Sequence, residues 1–402
     1  MENNMIILIW LLELSILYDV VISLFSFRKS KIPTQYEGEQ TATFTILIAC
    51  HNEEEVIVDN LQALYDSEYN KRLFQVCVIA DHCTDQTEVL CNEFKEKNKD
   101  FNMVVIPVKG GSKPKALNKG IDYLKQHNMW TNEYIVILDA DNKVSPQLLS
   151  AFNYYHGQFD ILQCRIRSAN DESFIARSFT SAFNRTTYDR QISRNRVGLS
   201  ASLSGTGFSI YRSVFDEIDF QHCSTLTEDL EFSVLAILKG YKIKFIEEQY
   251  VLNQHLDEFR PSIVQRIRWC RGHMQVSMKM TGKLMRAFIK RPSLQLIDTF
   301  LFINTPIRVL LFTVLGIYIL MTRLHISYLL IGLSISILIY TIFYTVYCNN
   351  YDLSYVFNQF HYAISMYVAI LYGTITYRSR VWVKTKHKKI QDVSQEKKSD
   401  KI

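Results

Sequence analysis

Short apolar runs alternate with stretches of helical period from residue 41 to about residue 290. Phe44–Cys50 (FTILIAC), Phe74–Ala80 (FQVCVIA), Met103–Val108 and Tyr134–Leu138 (YIVIL) are too short for helices and suit buried strands. Each precedes an amphipathic stretch. These open near Asn52 with its three glutamates, at Gln86, at Lys115 and near Pro146. Strand–helix alternation predicts an α/β domain with a parallel sheet and right-handed crossovers, whose ligands bind at the carboxyl ends of the strands.

Three other runs are long enough to cross a bilayer, which takes about 20 residues. Met5–Phe25 is apolar apart from Glu13 and Asp19, and Arg28, Lys29 and Lys31 follow at once. A signal peptide is the alternative, but no basic residues precede the run and no small-residue cleavage site follows. An uncleaved anchor over residues 1–27 with its N-terminus outside is predicted, Glu13 and Asp19 facing other helices or a polar cavity. Ile326–Cys348 and Tyr355–Tyr377 carry no formal charge. The positive-inside rule places the loop Asn349–Asp352 outside and the basic residues from Arg378 onward in the cytosol. Leu294–Met321 contains Asp298, Asn304, Pro306 and Arg308. It reads as a full span or, keeping the tail inside, as a broken re-entrant or interfacial helix. The predicted organisation is an anchor (1–27), a cytosolic domain (41–290), a C-terminal membrane region (291–377) and a basic, disordered tail (378–402).

Composition narrows the class. The 402 residues allow two or three domains at roughly 150 residues each. Lys and Arg number 45 against 40 Asp and Glu, so the net charge of +5 gives no reason to expect a nucleic-acid partner. Hydrophobic residues make up 48 %, enough for a core and for apolar surface beyond it. The eight cysteines form no CxxC pair and read as reduced, mostly buried thiols, with no disulfide frame or zinc site.

Candidate chemistry clusters at strand ends. Asp81 follows the second strand and can accept hydrogen bonds from a nucleobase or ribose; equally, Thr84 or Asp85 there caps the next helix. Asp139 and Asp141 follow the fourth strand. Two carboxylates one residue apart suit Mg²⁺ or Mn²⁺ bridging to phosphates, although a turn explains the same residues. Lys113 follows a Gly-Gly turn and offers a cation to phosphate, or is a solvated loop lysine; the Walker A spacing is absent. Thr227 is placed as the N-cap of a helix opened by Glu228 and Asp229 and ended by Gly240. Acids there are dipole partners or, in the functional reading, Asp229 is a general base. The helix N-terminus lowers its pKa, and desolvation or a neighbouring carboxylate has to oppose that. Gln265, Arg268 and Trp269 share one face of a helix that Pro261 starts, matching a diphosphate and a sugar ring, while an amphipathic surface helix accounts for the arginines too. Ser204–Phe208 contains the turn Gly205-Thr206-Gly207, where backbone approaches a ligand closely. Phe174, Phe179 and Phe183 with Arg177 and Arg185 mark a core-facing or interfacial helix.

In order, ILIACHNEEEVI, ADHCTDQT, Lys113 in KPKALNKG, DAD, GTG, TED and QRIRW resemble the membrane-embedded inverting family-2 glycosyltransferases. That group includes cellulose, chitin, hyaluronan and poly-N-acetylglucosamine synthases. The resemblance covers residues 44 to about 275 and implies a nucleotide-diphospho-sugar transferase (GT-A-like) domain, a mixed sheet between helices. By position, Asp81 would contact uridine, Asp139 the diphosphate, Asp141 the metal ion, and Asp229 would be the base. Lys113 and Arg268 would serve the donor. Gln265, Trp269, Gly205, Thr206 and Glu228 would serve the acceptor or leaving group. Mg²⁺ or Mn²⁺ is implied, with a nucleotide sugar, a polysaccharide or lipid acceptor, membrane lipid, and an accessory or export subunit or second copy as partners. Two departures stand out. ADHCT replaces DDGS or DDGST, so Ala80 stands for an acid and His82 for glycine. One anchor helix precedes the domain where the family has two. Polymer elongation is the implied reaction; single transfer to a lipid, or a non-catalytic membrane subunit, are the alternatives.

Overall fold

The computed structural model of the chain describes residues 2–29, 33, 36, 38–322 and 327–380. Most of the tail predicted to be disordered, residues 381–402, lies outside the described residues. Four strands, β1 (Phe44–Cys50), β2 (Phe74–Asp81), β3 (Met103–Val108) and β4 (Tyr134–Asp139), alternate with α2 (Ile57–Tyr65), α3 (Thr87–Lys97) and α4 (Lys113–Gln126), after the N-terminal helix α1 (Glu2–Leu24). Then come β5 (Lys143–Val144), α5 (Leu148–Tyr155), β6 (Ile161–Ser168), α6 (Phe174–Thr186), a π-helical segment (Thr187–Ile192), α7 (Ser193–Arg196), β7 (Phe208–Tyr211) and α8 (Arg212–Ile218). The chain continues through α9 (Glu228–Lys239), β8 (Ile243–Asn253), α10 (Phe259–Lys290), α11 (Leu294–Ile303), α12 (Thr305–Thr322), α13 (Ser327–Cys348) and α14 (Tyr355–Ile375).

The sheet order is β3-β2-β1-β4-β7-β6-β8-β5. β3, β2, β1 and β4 are parallel, as the alternation predicts. β7 runs antiparallel to both β4 and β6, so the sheet is mixed. The reversal comes from the 205–207 turn, where the Gly207 amide donates to the Ile137 carbonyl at 2.9 Å and feeds β7 back along β4. Successive residues of β1 enter opposite layers, as period 2 demands. Ile46 and Ile48 pack with α2, α3 and α5 residues such as Leu61, Phe94 and Phe152. Leu47 packs with Leu117, Phe215 and Phe232 from α4, α8 and α9. All eight cysteines are free and seven are buried.

Helix starts differ from the sequence pattern in two places. α2 begins at Ile57, five residues beyond Asn52. Asn52 has a left-handed φ of 58° and holds the Thr84 amide with its side chain at 2.7 Å, so it closes a turn instead. α4 begins at Lys113, with Pro114 in its first turn.

The C-terminal helices correct one expectation. α14 packs its polar face inward: Asn358 donates to the Phe174 carbonyl at 3.1 Å, and Ser181 donates to Gln359 at 3.0 Å. Arg271 donates to Thr376 at 2.9 Å near its other end, so α14 lies along α6 and α10. The loop Asn349–Asp352 is held on the same side: Asn184 donates to Asn349 at 3.0 Å and Arg177 stands 3.6 Å from Asp352. A loop across a bilayer from the α/β domain makes no such bonds. The absence of basic residues misled because α6 supplies them. Among the described residues α1 is apolar and long enough to cross a membrane, and a second span exists if α11 and α12, bent by 62° at Asn304, are counted together. α14 does not meet that measure. α12 runs antiparallel to α1, from the packing of Ile9 and Leu12 with Leu315 and the Asp19–Arg308 pair, and α13 runs parallel to it, from the hydrogen bonds Ser23–Tyr340 and Ser26–Tyr344.

A buried charge network joins these parts. Asp298, with 1 % of its side chain exposed, meets Arg190 at 2.9 Å and Arg194 at 3.2 Å. Arg194 also holds Asp19 of α1 at 2.8 Å, and Asp19 pairs with Arg308 at 2.8 Å, so Asp19 does face other helices. Glu13 has one buried carboxylate oxygen without a hydrogen-bond partner. Removing one member of a buried ionic group costs about 3–5 kcal/mol, against less than about 1 kcal/mol for an exposed pair. Asp298→Ala is therefore expected to lower the melting temperature in detergent markedly, and Asp352→Asn hardly at all, as thermal unfolding will register.

Candidate active site

The motifs meet at the carboxyl ends of β1, β2 and β4, beside the first turns of α4 and α9 and the N-terminal third of α10. Asp139 ends β4, with 38 % of its side chain exposed. Its amide donates to Thr206 Oγ1 at 3.0 Å and its carbonyl accepts from Asn60 at 2.9 Å, which fixes the backbone. Lys113 is not a solvated loop lysine. Its ammonium is ion-paired with Asp139 and donates to the Gly205 carbonyl at 2.7 Å. Burial disfavours that cation, but the charges of Asp139, Glu228 and Asp229 outweigh it and raise its pKa. Asp141 is buried two residues on, and Asn142 donates to it at 3.3 Å.

Gly205 adopts φ +81° at the turn, and a Cβ there would lie 3.5 Å from Asp229 Oδ2. Thr206 is buried and shares a hydrogen bond with Asn142. Gln163, fully buried on β6, donates to the Thr206 carbonyl at 2.9 Å and accepts from the Ser204 amide at 3.0 Å. Gln163 and Asn142 were not singled out in the sequence; for Gln163 a polar residue within an apolar strand was the available signal.

Thr227 occupies the N-cap position of α9, but its hydroxyl makes no cap and is buried without a partner. Asp229 replaces it, accepting from the Leu230 amide at 2.8 Å. The reason is Gly272 on α10: a Cβ there would sit 2.8 Å from the Thr227 nitrogen, so only glycine lets the helices approach this closely. Glu231, fully buried, accepts from the Ser224 and Thr225 amides at 2.9 Å each and pairs with Lys279, which fixes the loop into α9. Burial and the charge of Glu228 push Asp229 up to about 7, against the Leu230 amide, Lys113 and Arg268. Desolvation and a neighbouring carboxylate thus overcome the helix N-terminus. Burial lowers the pKa of Arg268, and Glu228, Asp229 and Asp139 oppose it. Lys113, Asp139, Glu228, Asp229 and Arg268 therefore form one charge cluster.

Trp269 and Gln265 lie on the same α10 face. The Trp269 ring stands 6.2 Å from both Phe179 and Phe183. Phe179 is core and Phe174 is 52 % exposed, so α6 is both core-facing and surface. The second residue of QRIRW, Arg266, is fully buried between the Phe179 and Tyr362 rings, at 4.4 and 4.3 Å from their centroids. Asp81 is 7 % exposed and accepts from the Gly110 and Gly111 amides at 2.6 and 2.8 Å and from His82 Nδ1 at 2.6 Å. Asp85 meanwhile takes the Thr87 amide at 3.0 Å, so it does cap α3.

A model described as "Glycosyltransferase like family 2" matches residues 41–272. A "Probable glycosyltransferase YdaM" of Bacillus subtilis (strain 168) is 27 % identical over 301 residues, covering 71 % of this chain and 68 % of its own. Poly-beta-1,6-N-acetyl-D-glucosamine synthases of Staphylococcus epidermidis and Staphylococcus aureus (strain COL) are 26 % and 27 % identical, over 60 % and 58 % of this chain. The match spans 57 % and 55 % of those synthases, little more than half their length. Among solved structures, the mannosyltransferase PcManGT from Pyrobaculum calidifontis in complex with GDP-Man and Mn²⁺ aligns over 90 % of this chain and 94 % of its own, with a TM-score of 0.61 and 14 % identity. That likeness is one of fold.

The contact between α9 and α10 is testable through glycine. Gly272→Ala forces its methyl onto Thr227 and is expected to destabilise the protein. Gly282→Ala, on the same helix with nothing within 4 Å, is expected to be neutral or to stabilise by up to about 1 kcal/mol. Paired thermal melts distinguish the two.

Proposed function

Because the chain belongs to glycosyltransferase family 2, we propose that it is a membrane-embedded synthase that transfers a uridine-linked sugar, with inversion, onto the hydroxyl of a growing polysaccharide. The observation that carries this reading is the placement of Asp229. A carboxylate pushed up to about 7 stands among the cations Lys113 and Arg268 and beside Asp139, all at the strand ends. A base with a pKa near the working pH is effective in taking a proton. The names of the staphylococcal relatives make N-acetylglucosamine the first donor sugar to try.

The reaction follows from the cluster. Lys113 and Arg268 offer positive charge to the departing diphosphate, an effect that strengthens as charge develops. Asp229 Oδ2 takes the proton of the acceptor hydroxyl, which attacks the anomeric carbon opposite the leaving group. Gly205, lacking a side chain, leaves room beside that oxygen. Trp269 offers a flat face to the acceptor sugar, with Gln265 beside it, and Thr206 and Glu228 complete that side. Asp81 holds the Gly110–Gly111 loop that borders the nucleoside, with one of its four acceptor positions left for the ligand. The donor set fits a hard cation: Mg²⁺ commonly takes one or two carboxylates and fills its shell with phosphate and water. Asp139 and Asp141 would hold Mg²⁺ or Mn²⁺, which when bound would draw charge from the diphosphate.

In this reading α1, α12 and α13 cross the membrane, the catalytic domain faces the cytosol, and α6, α10 and α14 lie at its surface. A polysaccharide exporter or a second copy is the protein partner such an arrangement admits.

Incubation of the protein in detergent with radiolabelled UDP-sugars tests the function. Transfer that needs Mg²⁺ or Mn²⁺ and yields a long product supports it. A product one sugar longer than a lipid acceptor replaces polymerisation by single transfer, and no transfer from any nucleotide sugar overturns the reading. Since only ionised Asp229 accepts a proton, kcat/KM is expected to rise with pH through about 7, and Glu228→Gln to move that rise to lower pH. Asp229→Asn is expected to lose about 10²- to 10⁴-fold in rate while UDP affinity by calorimetry survives. Near wild-type transfer would make Asp229 only a partner of the helix dipole. In a cysteine-free background, a thiol at position 350 is expected to resist labelling from outside intact cells.

A further inference from the structure

We propose that His82 reads the nucleobase, its Nε2 accepting the N3–H of uracil. This deepens the reading of the site as a uridine-nucleotide transferase and rests on it. The position comes from the sheet. The strand order turns back between β1 and β4, and ligands of such sheets bind outside the carboxyl ends at that point. Ala49 is level with both Asp139 on β4 and Ile79 on β2, so the ends of the three strands align. The cations and Asp139 mark the diphosphate end. From β4 across β1 to β2 is two strand spacings, about 10 Å. A nucleoside diphosphate laid along that line puts its base over His51 and His82.

The chemistry comes from the hydrogen-bond network. Asp81 Oδ1 takes His82 Nδ1 at 2.6 Å, while the Gly110 and Gly111 amides donate to the same carboxylate. A carboxylate engaged by two amides is an acceptor, which assigns the imidazole hydrogen to Nδ1. In the neutral ring Nε2 then carries a bare lone pair. The His82 side chain is 47 % exposed, so this acceptor stands open at the edge of the cleft, whereas the Asp81 side chain is 10 % exposed. His82 is also held in a left-handed conformation, φ +50°, with its amide on the Val108 carbonyl at 3.1 Å. Glycine adopts that backbone freely. An imidazole at a position made for glycine, pinned by its other nitrogen, is a placed acceptor.

Binding of UDP and of 3-methyluridine 5′-diphosphate, which lacks the N3–H, tests this by calorimetry at pH 8. Wild-type protein is expected to prefer UDP about tenfold, the effect of one hydrogen bond. His82→Gly is expected to bind both nucleotides equally, with UDP weakened about tenfold. Glycine suits the backbone, so the variant should melt no lower than wild type. Equal binding of the two nucleotides by wild-type protein, or a preference that survives in His82→Gly, overturns the assignment and returns base reading to Asp81 or another group. If wild-type protein transfers a UDP-sugar yet shows no preference, this inference alone fails. If it binds neither nucleotide, the proposed function fails with it.

Discussion

An ionised carboxylate taken out of water must meet cations in good geometry or lose its charge. Asp298 meets that demand with Arg190 and Arg194, and the placement of α1, α7 and the bent pair α11–α12 follows from it. Arg190 lies in the π-helical segment and Arg194 in α7, so the carboxylate on α11 draws the chain between α6 and β7 onto the start of the bent pair. Arg194 then reaches Asp19, and α1 is registered against the domain by an ion pair instead of by apolar contact alone. In an apolar surrounding such pairs choose one arrangement among many, because every slipped register leaves a bare charge.

The active cluster obeys the opposite logic. There the charges are not neutralised to rest but held in tension. Lys113 and Arg268 favour an ionised Asp229, and burial and Glu228 oppose ionisation more strongly. The same carboxylate at an exposed helix start would be a weak base. Its environment depends on Gly272 and on Glu231 with Lys279, which bring α10 against the loop into α9.

The four parallel strands, with Asp81 and Asp139, were legible from local pattern, an apolar run and then a polar residue where it ends; Lys113, Glu228, Asp229 and Arg268 were legible from a Gly-Gly turn, a helix start and the spacing of one helix face. The antiparallel entry of β7 was not, since FSIY carries no sign of direction and the sheet neighbours decide it. Gln163 and Glu231 escaped for a related reason. Their importance lies in which amides they face, and those amides are distant in sequence or carry no side-chain signature. The loop at residues 349–352 was misplaced because a charge rule counts residues on one segment, whereas its partners Arg177 and Asn184 lie on another.

Arg266 carries a consequence for how the protein is made. Its guanidinium is fully buried, with Nε and Nη2 lacking hydrogen-bond partners, and α14 supplies Ser365 and the Tyr362 ring that cover it. Ser365 follows Arg266 by 99 residues. At a synthesis rate of about 5–20 residues per second, the helix bearing Arg268 and Trp269 waits about 5–20 s for its cover. During that interval the growing chain holds a charged group against an open apolar face. One side of α10 is thus covered last, and a ribosome that stalls before α14 leaves behind a chain in which that helix rests on α9 and α6 with Arg266 still uncovered.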